Sequence, residues 1–485
     1  MYRFGSSSSA VRYRVLCLAS IVAFSSLLAA CQTGGSSSLS LEEAKQVSAS
    51  FAGGSFTPPP RTVTDVTAIL SKQERVDLEW VEEAHKKIDA QPPAGASPRK
   101  LTVFYYERGL AASKLGRTGQ EIANYRLSME NARKGGNMNT LELAHWLLGF
   151  ADIFAGSLSQ AIADWEEAIR TATAMDWDED LVFNYAVLAD LYSKAGDPEG
   201  VRKAAEHSKE KQRLAVSGYE SIYERAELRL SEAMRAASLL EVGGRFKEAE
   251  PLHRKAIEAS LRTIKYSDSD HDGVGKQSFD PIMLNWQHAN LADNLRKQGR
   301  LVEAEVWARR ALTTALKMNG RYSAHTAYML GRLTRVIFEQ GRFADAEALA
   351  RANLEAYRKS GASSDSVYFA LARIGLADTL VALGRWPEAL AEYEKARDDL
   401  AGDTYASGKF IGGNANWGIA LLRSGRVGDA IALFDAAAAR LEPIVGPGHY
   451  DLAELAGFKA MALAADGKQA DALKTFVSAV PALLD

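Results

Sequence analysis

A chain of 485 residues, 47% hydrophobic and 25% charged, has the make-up of a folded protein but is too long for one ordinary core. Several domains or a repeat array are expected. A formal net charge of −3 argues against a nucleic-acid partner, which calls for a basic face.

The first predicted element is a signal peptide over residues 1–30. Arg3, Arg12 and Arg14 form a positive region, and the apolar stretch from Val15 to Ala30 falls short of the roughly 20 residues of a membrane-spanning helix. The stretch ends Leu28-Ala29-Ala30-Cys31, which resembles the lipobox of bacterial lipoproteins. That resemblance implies cleavage before Cys31, a diacylglycerol on its sulfur and acylation of the new amine; two or more acyl chains anchor a protein stably where one does not. Gln32, not Asp, follows, which by family analogy implies outer-membrane sorting, with the body facing the periplasm. The only other cysteine, Cys17, leaves with the signal peptide. The mature chain then has no thiol for a disulfide, a metal or a nucleophile.

Residues 31–61, rich in Ser, Gly and Pro, read as the lipidated cysteine and a disordered linker, with a short helix over Leu39 to Ser50. Over residues 62–98 the pattern turns helical, with Val66, Ile69, Leu70, Val76, Trp80 and Val81 recurring three and four apart until Gln91 to Pro98 breaks it. This region is expected to cap the array behind it as a solvent-facing lid.

Residues 99–485 repeat. A glycine, usually followed by Arg, recurs at Gly116, Gly156, Gly196, Gly244, Gly299, Gly341, Gly384, Gly425 and Gly467, in steps of 40 to 55 residues. Such a period means a solenoid. Three columns of small residues keep step with it. A crossing column includes Gly109, Gly149, Ala189, Ala292, Ala377 and Gly418. A second-helix column includes Ala161, Ala249, Ala304, Ala346 and Ala430, with Glu121 in the first unit. A third, seven residues on, includes Ser128, Ala168, Ser208, Ala311 and Asn353. Small side chains in register let paired helices approach at the short end of the usual 8–10 Å spacing. Between the last two columns, Tyr125, Trp165, His253, Tyr393, Phe434 and Phe476 supply bulk.

These columns resemble the tetratricopeptide-repeat (TPR) family, and the period near 42 resembles the longer repeats of kinesin light chains. Asn290-Leu291-Ala292 before Gly299-Arg300, and Gly446-Pro447-Gly448-His449-Tyr450-Asp451 between repeats, match that subtype. The resemblance implies an all-α, right-handed α–α superhelix of about nine helical hairpins that binds a protein or peptide partner in its concave groove. Pro59 to Leu70, with Gln91-Pro92-Pro93 later, resembles the leading segment of bacterial proteins that join such repeats to a caspase-like CHAT peptidase domain. No cysteine remains for a Cys–His dyad, so that activity does not carry over. The alternative reading is a sensor arm of such a peptidase system, truncated or split from its catalytic domain.

Asp268-Ser269-Asp270-His271-Asp272-Gly273 matches the first half of a calcium loop, with Phe279 where the closing Glu belongs. Asp268, Asp270 and Asp272 are thus a weak calcium candidate and the one cofactor possibility; a solvated acidic loop is the plainer reading. His253 is expected in the core, and His325 and His449 in inter-repeat turns, bonding backbone. No nucleophile elbow, phosphate loop or paired-carboxylate signature stands out, and the chain reads as a scaffold, not an enzyme. Candidate groove residues come from columns flanking the crossing residue: Arg235, Asn290, Arg332 and Asn416 before it, Asp293, Arg335 and Asp378 after it, and Arg296 a turn further on. Asn both donates to and accepts from an extended backbone, and Arg grips carboxylates bidentately.

Overall fold

The structure, a computed structural model, describes residues 59–72, 78–135, 137–214, 221–266, 274–362, 366–402, 407–446 and 449–484. Cys31 and the candidate calcium ligands Asp268, Asp270 and Asp272 lie outside the described residues, as does most of the linker. Among the described residues, two helices, α1 (Thr64–Lys72) and α2 (Leu78–Asp89), precede nine hairpins. Hairpins one to three are α3 (Pro98–Lys114) with α4 (Thr118–Gly135), α5 (Met138–Ala155) with α6 (Leu158–Ala174), and α7 (Asp178–Ala195) with α8 (Pro198–Leu214). Hairpins four to six are α9 (Ile222–Val242) with α10 (Phe246–Tyr266), α11 (Val274–Lys297) with α12 (Leu301–Asn319), and α13 (Ala324–Glu339) with α14 (Phe343–Ser360). Hairpins seven to nine are α15 (Val367–Ala382) with α16 (Trp386–Asp399), α17 (Ala415–Arg423) with α18 (Val427–Val445), and α19 (Tyr450–Ala465) with α20 (Gln469–Leu484). A π-helical turn, Ser407–Ile411, enters α17. No helix among the described residues is long and apolar enough to cross a membrane.

The columns do what their sizes require. Ala161, Ala249, Ala304, Ala346, Ala389 and Ala430 are fully buried. A Cβ added at Gly149 would sit 2.5 Å from the Trp165 indole, and one at Gly418 would sit 2.3 Å from the Phe434 ring. Glycine is therefore the complement of an aromatic on the facing helix. Where the third column carries serine, the hydroxyl donates to the first helix 26 residues earlier: Ser128 to the Thr102 carbonyl and Ser208 to the Val182 carbonyl, both at 2.9 Å. The turn glycines take left-handed φ, +77° at Gly299 for example, a conformation that costs an L side chain energy. The Arg that follows ties hairpins together. Arg342 pairs with Asp345 on its own helix and with Glu305 of the preceding hairpin, each at about 2.9 Å. Arg300, Arg385 and Arg426 repeat the pattern with Glu250, Glu347 and Glu394.

The array coils tightly enough for its first hairpins to meet later ones. Asn319 donates to the Ser113 carbonyl at 3.0 Å, the Ala324 N–H donates to the Thr118 hydroxyl at 3.1 Å, and the Val367 N–H donates to the Gly156 carbonyl at 3.3 Å. Inside this turn, Trp146, Phe150, Phe154, Phe183, Phe279, Trp286 and Tyr328 pack ring against ring. One apolar core thus runs from Val63 to Ala372, and a second, from Ala350 to Ala462, serves hairpins seven to nine.

The region expected to be one solvent-facing lid holds two helices with different seats. α2 packs on α3 through Ala84 and Ile88 against Ala111 and Ala112. α1 is docked far along the chain, where the fully buried Asp65 pairs with Arg309 at 2.5 Å, Arg309 donates to the Thr62 carbonyl and Arg321 to the Leu70 carbonyl. Hydrophobic periodicity signals that α1 has a buried face, but not which helix covers it.

Candidate functional site

The predicted groove residues fall into four places. Four of them converge. Asp293 on α11 lies 2.9 Å from Arg296 and 3.4 Å from Arg332 on α13; Arg296 reaches Glu339 at 2.7 Å, and Arg335 stands 3.5 Å from the same carboxylate. Lys297 joins at 3.1 Å from Asp293 and 3.7 Å from Glu241 of α9. Glu241 also accepts from Asn294 at 2.7 Å and bonds His253 at 2.9 Å.

The electrostatics of this cluster are lopsided. Burial alone raises the Asp293 carboxyl, but Lys297, Arg296, Arg332 and Arg335 outweigh it and hold Asp293 well below the usual carboxylate range. Burial likewise acts against Glu241, and Lys297 with His253 and Asn294 brings it down to about 2. Four cations share three carboxylates here, and repulsion from Arg296 lowers the pKa of Arg335. The Arg335 side chain is 57% exposed, against 7% for Arg296 and 22% for Arg332. The surplus charge therefore faces solvent at Arg335.

The other predicted residues bond within the fold. Asn290 is buried, and its amide lies 3.4 Å from Asp190 of α7, a carboxylate already bonded by the Trp286 indole at 2.7 Å and by Lys194. Arg235 donates to Ser208 at 3.3 Å and to Gln212. Asp378 accepts from Tyr393 at 2.5 Å and from Asn416 at 2.9 Å, so two residues read as separate groove positions form one pair. Sequence reasoning missed Glu241, Lys297 and Glu339. Glu241 stands eight residues before its second-helix alanine, as Arg296 does, and Lys297 and Glu339 stand seven before theirs; opposite charges in these columns on adjacent hairpins are the signal that would have found them. His253 is in the core, and the His449 ring accepts from the Asp451 N–H at 3.2 Å. His325 bonds the side chains of Asn285 and Asn319, both at 2.8 Å, in place of the expected backbone. Among the described residues no group of three or more acids or histidines is placed to hold a metal.

A tetratricopeptide-repeat family model matches residues 289–325, the span holding Asn290, Asp293 and the turn glycine of hairpin five. With nine consecutive hairpins in register around it, that match decides the fold. The fold is a TPR-like solenoid of consecutive helical hairpins. Curated proteins show no match to it. Among solved structures, this chain is similar to BtubC (BKLC) from P. vanneervenii, at 18% identity over 49% of this chain and 90% of that one, TM-score 0.38. It is similar to a kinesin light chain of nearly identical TPR-like repeats from Podospora anserina, at 17% identity over 42% and 95%, TM-score 0.35. It is also similar to aspartyl phosphate phosphatase F from Bacillus subtilis, at 14% identity over 82% and 96%, TM-score 0.42. At these values the likeness is one of stacked hairpins and carries no inference about activity.

Proposed function

We propose that this TPR protein is a lipid-anchored, non-enzymatic scaffold of the bacterial envelope, facing the periplasm from the outer membrane, that holds a protein partner at the mouth formed by α11 and α13. The lipobox at Leu28 to Cys31 supports the anchor, and the TPR fold supports a protein partner. The observation that carries the binding reading is the half-open Arg335 above a cluster with one more cation than carboxylates. An exposed guanidinium beside a buried ion network is preorganised to take a carboxylate of the partner bidentately.

The test places a photo-crosslinking residue at position 335 of the full chain in intact cells, with position 254 on the second helix of hairpin four as control. One defined protein adduct from position 335, absent from position 254 and lost when Arg332 is changed to Glu, is the expected result. Equal adducts from both positions, or none from 335, sink the reading of this mouth as the binding site. Separately, Cys31→Ser is expected to abolish incorporation of a labelled fatty acid and release the protein from membranes; retained label refutes the anchor.

A further inference from the structure

The second-helix column is alanine or valine in every hairpin except the first, where it is Glu121. Its place explains the exception. Glu121 lines a chamber of about 20 Å³, room for roughly one water, between hairpin one and the turn entering α13. Ser113 and Thr118 come from hairpin one, Asn319, Ser323 and His325 from the other side, and Phe150 and Phe154 of α5 form the back. Ser113 and Asn319 bond across this seam, and Asn319 accepts from His325.

We propose that this seam is a proton-governed clasp: Glu121 sits uncharged in the closed seam, and loss of its proton loosens hairpin one from the following turn of the solenoid.

The charged and titratable groups around Glu121 favour the neutral acid. Asp152 of α5 is the acid that faces it, backed by Asp164 of α6; the neighbouring cation is Arg126, which is 53% exposed and bonds Asp152 at 3.4 Å. Tyr125 is on its own helix, Ser113 on α3 donates to it, and α13 contributes His325. Burial, offset in part by Ser113 and reinforced by Asp152, pushes Glu121 up to about 8. An opened seam returns it to about 4.3. Opening therefore grows easier as pH rises between those values, by at most about tenfold per unit, and levels off above 8. His325 acts in the opposite sense. Burial lowers it to about 3, so an open seam gains a proton below about 6.5 and opening is favoured by acid there. The two effects oppose below 6.5, which leaves a rise in opening between pH 6.5 and 8.

Hydrogen exchange of the full chain, corrected for the intrinsic pH dependence of exchange, tests this. In the wild type, amides of residues 113–121 and 319–325 are expected to lose roughly tenfold in protection from pH 6.5 to 8, while those of hairpins seven to nine stay level. Glu121→Gln is expected to make that loss clearly smaller, with Asp152 accounting for any remainder. If the Gln variant folds poorly, Glu121→Ala restores the column residue and carries the same expectation. His325→Gln is expected to extend the wild-type slope below pH 6.5. Equal protection at pH 6.5 and 8 in the wild type, or an unchanged slope in both Glu121 variants, overturns the proposal.

Discussion

Hairpins two to six and hairpins seven to nine are built on the same columns, yet one stretch closes on itself and the other does not. In the first, inward positions carry Trp146, Phe150, Phe154, Phe183, Trp286 and Tyr328, and rings from non-adjacent hairpins touch, as Phe154 does His325 at 4.0 Å. In the second, Gly375 and Gly457 have nothing within 4 Å of an added Cβ, and among the described residues ring contacts join neighbouring hairpins or helices, as in Tyr393 with Trp417 and Phe434 with Phe458. The repeat sets how helices pair; side-chain bulk on the inner face sets whether the solenoid has a groove or a core.

The largest expected break is Trp286→Ala, which removes a fully buried indole from the closed turn and should cost about 3–5 kcal/mol in a urea or thermal melt. Its counterpart Phe476→Ala, on a ring 49% exposed in α20, should cost well under half of that. Similar losses at the two sites would erase the distinction. Next in size is Gly119→Ala. A Cβ there would lie 2.7 Å from the Gly361 carbonyl oxygen across the seam, so the first turn should lose about 1–3 kcal/mol while hairpins seven to nine keep their protection.

A pH titration sharpens the same contrast. Burial, with acidic neighbours, raises Asp152 to about 8 and Glu142 to about 9. The folded first turn holds protons that the unfolded chain gives up near 4, so its stability is greatest at low pH and falls toward pH 8. Burial keeps His145 and His288 at about 4, an opposing effect below about 6.5. The visible decline should therefore lie above pH 6.5, at up to about 1.4 kcal/mol per pH unit for each acid the fold keeps protonated, and Asp152→Asn should make it shallower while Glu142 and Glu121 keep the remainder. An Asn variant with the wild-type slope contradicts the assignment. The smallest expected effect is Arg426→Ala, whose bridge to Glu394 is solvent-exposed and worth about 0.2–1 kcal/mol. Arg342→Ala should cost more, because Glu305 would remain buried with one fewer partner.

Pairing of helices was legible in the sequence because it depends on size at fixed offsets: Gly149 opposite Trp165 needs no knowledge of distant residues. The convergence of Asp293, Arg296, Arg332 and Arg335 followed from the same periodicity. Closure was not legible, since Asn319 meets Ser113 across 206 residues and the angle between successive hairpins accumulates from many small differences. For the same reason Asn290, which resembles a ligand for a bound peptide, proved to bond Asp190 one hundred residues away. Glu121 was visible as a departure from its column, but its meaning depended on what lies across the seam.

The seat of α1 determines how the molecule carries load. A pull through the residues before Pro59 does not begin at hairpin one. It arrives at α12, where Arg309 grips both Asp65 and the Thr62 carbonyl from within a buried ion cluster shared with Glu305. Tension from that side is thus delivered to the middle of the chain, and the outermost hairpins are spared from being peeled one by one.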